Sequence, residues 1–184
     1  MSLTKIDKVY YQGTAVSCGA AAAVNVLRVF GVINVANDRE YQAAQKAAFK
    51  QTKTTSVADW LGSTPSKVVG YVMDRLTEAD VKFDAFLADD TVAAYRSMDG
   101  LINTALLSRL KDRISNIDGQ FQTRSKFTDD DVIVRFLDIG GSVSGHFVVQ
   151  TNFDDGGKDC QFLDSGNKNL IMISGPGGLP GDKL

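Results

Sequence analysis

Sulfur and imidazole are scarce in this chain: 184 residues hold two cysteines, Cys18 and Cys160, and one histidine, His146. Cysteines this far apart, without a C-x-x-C pair, exclude a disulfide framework and fit a reducing compartment. Structural zinc needs about four Cys or His ligands at short spacing, more than the chain owns, so no metal is expected. Charge of one sign is missing too. Twenty basic residues against 22 acidic give a net charge of -2, with no dense Lys/Arg run, so nucleic acid is not an expected partner. Long apolar runs are absent. The most apolar stretch, Ala20 to Val35, is broken by Asn25, Arg28 and Asn34 and falls short of the roughly 20 residues of a membrane helix, so no span is expected. The opening MSLTKIDKVYYQG lacks the apolar centre of a signal peptide, so the expected location is the cytoplasm, or outside the cell as an effector exported without such a signal. Nucleotide and calcium chemistry are also unsupported. GGSVSG is out of register for a G-x-S-x-G nucleophile elbow, no phosphate loop occurs, and the acidic clusters lack calcium-loop spacing. No cofactor is expected.

What is present suits an ordinary globular domain, with 43% hydrophobic and 23% charged residues. One domain over 1–174 is expected, followed by a flexible tail over 175–184, GPGGLPGDKL. Val9 to Tyr11 reads as the opening of a strand. A buried, alanine-rich helix then begins near Cys18 and ends near Gly31, a C-cap residue. A second helix is expected over Asp38 to Lys50 with Asp38 as cap. In STPSKVVGYVMDRL, Ser63 or Thr64 precedes Pro65 and the apolar residues repeat every 3.6 positions, which marks a third helix. VKFDAFL, Val81 to Leu87, alternates like a strand, and a long helical pattern follows from Thr91 to Asn116. After Asp131 the runs VIVRFLDI, HFVVQTNF, CQFLD and NLIMIS are β-rich, with Asp154-Asp155-Gly156-Gly157 as a hairpin turn. The fold class that follows is α+β, a helical first half on a mostly antiparallel sheet.

Cys18 opens a helix, where unpaired N–H groups and the positive end of the dipole favour a thiolate. A lone cysteine is more often a buried apolar residue, so neighbours must decide. His146 stands after a glycine-bearing loop at the start of a strand, where an imidazole can project into a cleft and serve as base. Asp164 ends the strand that the hairpin sets beside His146, close enough to hold an imidazolium; its plainer reading is an Asx turn before Ser165-Gly166. Gln12, six positions before Cys18, offers an amide N–H for an oxyanion. Four residue types that thiol chemistry requires thus occur in a compatible order.

These residues carry a resemblance. Gln12 to Ala21, GHFVV at Gly145 to Val149 and FLDSGN at Phe162 to Asn167 resemble the papain-like cysteine peptidases, and among them the C39-like group. The resemblance implies a papain-like fold, with Cys18 as nucleophile, His146 as base, Asp164 as orienter and Gln12 in the oxyanion hole. It implies a cysteine peptidase that cleaves a peptide or protein substrate through a thioester. Deamidation and acyl transfer use the same intermediate, and a non-catalytic peptide-binding module of the same fold is the alternative. That group commonly has an acidic residue before the cysteine and proline after the aspartate, where this chain has Ser17 and Ser165.

Overall fold

The computed structural model describes residues 3–53, 62–88, 116–117, 120–121, 123–124, 126–138, 145–153, 159–166 and 169–174. A single 3₁₀ turn, Ala15–Ser17, leads into α1, Cys18–Val29. All of α1 is buried, including Asn25 and Arg28, as befits a helix apolar on every side. It stops in a Schellman motif: Val32 N–H reaches Leu27 O at 2.8 Å and Gly31 N–H reaches Arg28 O at 3.0 Å. Gly31 sits at φ +71, so it is the left-handed residue just past the cap, and Phe30 is the cap itself.

Helix α2 spans Asp38–Thr52, two residues longer than expected, and its cap is Asn37 rather than Asp38. Asn37 keeps an extended backbone and accepts Glu40 N–H at 3.0 Å, while Glu40 reaches back to Ala36 N–H at 2.8 Å. Asp38 already lies inside the first turn, where its charge suits the dipole. Helix α3, Pro65–Glu78, starts as its sequence signals, with Thr64 as cap and Pro65 first. Val68, Tyr71, Val72, Met73 and Leu76 are its buried face.

The main sheet is antiparallel and four-stranded, in the order β5 (Ile133–Asp138), β6 (Gly145–Thr151), β7 (Asp159–Asp164), β8 (Asn169–Ser174). Four two-residue strands pair separately. Leu87–Ala88 (β1) runs parallel to Thr123–Arg124 (β4), and Asn116–Ile117 (β2) lies antiparallel to Gln120–Phe121 (β3). Two sequence expectations are corrected here. Of Val81 to Leu87 only the last residue enters a strand, because alternation supplies two faces but a strand also needs a ladder partner. Val9 to Tyr11 is not a strand either; Val9 and Tyr10 are buried against the core in irregular chain. Asn116 belongs to β2 and not to a helix, whereas 91–115, the turn 154–157 and the tail 175–184 lie outside the described residues.

The two faces of the sheet feed two apolar clusters. Phe147, Val149 and Leu163 join α1, Tyr41 and Ala48 of α2, and the inner residues of α3. Val148, Phe153, Cys160 and Phe162 pack with Phe127 and Ile133. Helices on one face of an antiparallel sheet make the architecture α+β. Among the described residues no helix is long and apolar enough to cross a membrane.

Candidate active site

Cys18 is the first residue of α1 and is 7% exposed. Ser17 stands at the cap position but its side chain caps nothing in the helix. Its hydroxyl turns back to Gln12 O at 3.1 Å and Thr14 O at 2.9 Å, and the backbone N–H groups of Gly19 and Phe147 point at the sulfur instead. The local sequence forces this approach. A Cβ on Gly19 would lie 2.5 Å from Ser63 Cβ and 2.9 Å from Val68 Cγ2, so only glycine lets α1 start this close to α3.

His146 is the second residue of β6, opposite Leu137 of β5. Its Nε2 is 2.7 Å from Asp164 Oδ1, with the two side chains 20% and 10% exposed. The imidazole is also hydrogen-bonded to Cys18. With Nε2 taken by the carboxylate, Nδ1 is the nitrogen left for sulfur. The β6–β7 ladder ends at Val149 opposite Leu163, so Asp164 meets the imidazole diagonally across the strand pair. Oδ1 of Asp164 also accepts Gly166 N–H at 2.8 Å. One oxygen therefore makes both the Asx turn and the bond to histidine. Glycine at 166 leaves the imidazole room, because a Cβ there would stand 3.0 Å from His146 Cε1 and press on the ring.

Electrostatics in this cluster favours a separated charge pair. Burial pushes the Cys18 thiol up, but the His146 hydrogen bond, the Phe147 N–H, the imidazolium charge and the Gly19 N–H outweigh it, and the thiol ends below its ordinary value. The His146 imidazole is pushed up to about 10, first by its bond to Asp164 and then by its bond to Cys18, against the opposing effect of burial. The two shifts describe one event, a proton held on imidazole while sulfur carries the negative charge.

Gln12 is buried beside this cluster and tied to both halves of it. Its N–H donates to Ser165 O at 3.0 Å and its carbonyl accepts from Ser17 Oγ, while its side-chain amide donates to Thr14 O at 2.9 Å. All four expected residues thus belong to one locality, three of them in direct sequence through His146 and Gln12 in the adjoining loop. Cys160 lies elsewhere. It is a buried thiol in the second apolar cluster, accepting from Gln150 Nε2 at 3.4 Å, and no disulfide joins it to Cys18.

Several residues around the site carry no sequence signal for their place. Gln45 Nε2 donates to Ser17 Oγ, and Thr14 Oγ1 lies 2.8 Å from the same oxygen, so Ser17 anchors the loop from Gln12. Asn25 and Tyr41 meet at Ser165. The interruption of an apolar run by Asn25 and Arg28 was the one available hint, since buried polar residues need partners. Among the described residues no group of three or more His, Cys, Asp or Glu side chains is arranged to hold a metal. Compared with protein-family models, curated proteins and solved structures, the chain matches none.

Proposed function

We propose that the chain is a thiol hydrolase of papain-like type, related to the C39-like group, that cleaves a peptide or amide bond. The observation that carries this reading is His146 bonded on one side to Cys18 and on the other to Asp164. A nucleophile-bearing helix packed on an antiparallel sheet that supplies the base supports the same relation.

The Cys18 thiolate attacks the substrate carbonyl carbon, and the carbonyl π pair moves to oxygen. The Gln12 side-chain amide, held by its bond to Thr14 O, is the side-chain donor offered to that oxyanion. Collapse of the tetrahedral species breaks the C–N bond as His146 gives its proton to the leaving nitrogen, leaving a thioester on Cys18 and a neutral imidazole. Asp164 keeps the ring oriented throughout. His146 then takes a proton from water, hydroxide adds to the thioester, and the C–S bond breaks to release the acid and restore the thiolate–imidazolium pair. Deamidation differs in releasing ammonia, and acyl transfer in replacing water with another acceptor.

Alkylation by iodoacetamide, followed by peptide mass spectrometry across pH, tests the pair. Cys18 is expected to react well below the free-thiol pKa of about 8.5, and His146→Ala to abolish that reactivity while Cys160 stays slow. Normal thiol titration of Cys18 in both proteins overturns the hydrolase reading and leaves the cleft as a peptide-binding site.

A further inference from the structure

Ser165, directly after the carboxylate, is 3% exposed and sits at the end of a buried hydrogen-bond chain. Its hydroxyl accepts from Asn25 Nδ2 at 3.0 Å and lies 2.7 Å from the Tyr41 hydroxyl. The Tyr41 hydroxyl also reaches Ala21 O, 3.2 Å away. The Asn25 amide has a determined orientation. Its Oδ1 accepts from Arg28 Nη1 at 3.2 Å, a group that only donates, and this turns Nδ2 toward Ser165. Arg28 is itself tied to Lys8 O at 2.9 Å through Nη2. One chain of hydrogen bonds therefore links Arg28, Asn25, Ser165, Tyr41 and Ala21, and Asn25 and Tyr41 are fully buried.

We propose that Ser165 is a positioning residue, through which α1 and α2 clamp the turn Asp164–Gly166 and so hold the Asp164 carboxylate on His146. The inference rests on the thiol hydrolase reading and deepens it. Asp164 lies one residue past the last β6–β7 rung, and the sheet holds it only from the β8 side, where it pairs with Asn169. Toward His146 its hold comes through its neighbour. The Ser165 hydroxyl bonds to Asn25 and Tyr41, and the Ser165 carbonyl accepts Gln12 N–H. Because that hydroxyl reaches neither sulfur nor imidazole, its influence passes through Asp164. The charged and titratable groups bonded to the imidazole are Asp164 and Cys18, and Arg28 and Tyr41 lie behind Ser165.

The single histidine makes the test direct, since every imidazole NMR signal belongs to His146. The imidazole titration and the Cys18 alkylation profile are measured in the parent, Ser165→Ala, Tyr41→Phe, the double variant and Tyr10→Phe. Ser165→Ala is expected to lower the imidazole midpoint by about one pKa unit and raise that of Cys18. Tyr41→Phe shifts both the same way by less, and the double variant goes no further than Ser165→Ala alone, because the two share one bond. Tyr10→Phe loses a buried hydroxyl bonded to Val35 O, off the path to Asp164, and keeps the parent profiles; a merely structural role predicts equal effects from it. Should Ser165→Ala not fold, Tyr41→Phe decides, since its ring keeps the stack on Tyr10. Parent-like profiles in folded Ser165→Ala and Tyr41→Phe overturn the inference alone. An ordinary imidazole and an ordinary thiol in the parent overturn the hydrolase reading and this inference together.

Discussion

Ser17 and Ser165 stand beside Cys18 and Asp164, and neither acts as its sequence position suggests. Ser17 declines to cap α1 and ties the Gln12 loop down; Ser165 is the middle residue of an Asx turn yet bonds into the helices. Their partners, Gln45, Asn25 and Tyr41, look in the sequence like any polar residues within helices. Cys18, His146 and Asp164 were legible because thiol chemistry needs rare side chains, and a chain with one histidine leaves little choice. Hydrogen-bond hubs were not legible, because serine, asparagine and tyrosine are common and only folding decides which of them meet. The raised imidazole pKa makes a claim about stability. His146 is held above its ordinary 6.5, so its protonated form stabilises the folded state; that contribution is complete below about 6.5 and is lost as pH rises toward the folded value, about 10 in the parent. Cys18→Ser removes the thiol's own titration. Urea unfolding of Cys18→Ser should therefore show stability falling from pH 6.5 upward, and adding Asp164→Asn should flatten that slope; an unchanged slope would show that the carboxylate is not what holds the proton.

Helix ends were the best-read elements, because their signals are local. Pro65 at the first turn and the Gly31 stop each act through their own backbone, whatever lies nearby, whereas the cap of α2 is Asn37, one residue before the expected Asp38. Val81 to Leu87 was misread for the opposite reason, since a strand depends on a partner distant in sequence. At this scale Asn37→Ala should cost about 1 kcal/mol, by loss of the bond to Glu40 N–H, and leave Cys18 reactivity unchanged. Gly19→Ala should do more. The added methyl pushes Ser63 and Val68 away from α1, at a cost of about 1–3 kcal/mol, and the displaced helix start should slow Cys18 alkylation at pH 6. Denaturant titration beside alkylation rates separates the two variants; equal loss of reactivity in both would mean that the α1–α3 approach has no special bearing on the thiol.

Over the whole molecule α1 is the common wall, touching α2, α3 and β6 at once. Leu27, in its last turn, is 0% exposed, and Leu27→Ala should destabilise by about 2–5 kcal/mol through the cavity left behind. Cys160 reports the other side of the sheet. Its alkylation should appear only with global unfolding, and in Leu27→Ala at correspondingly lower urea; native-state labelling of Cys160 at the parent's Cys18 rate would show that the second cluster opens on its own.

The bond between Asn25 and Ser165 joins residues 140 positions apart, and the site depends on that closure. During synthesis Cys18 leaves the ribosome long before His146 or Asp164 exists. Until the last strands dock, the sulfur lacks the imidazole and the Phe147 N–H that lower its pKa most, and keeps only the help of its own helix start. Contacts of such sequence separation form late and slowly. Low-pH reactivity of Cys18 should thus be a timestamp: it is expected to begin when the chain closes on itself, so an unfinished copy carries the thiol without its imidazole partner.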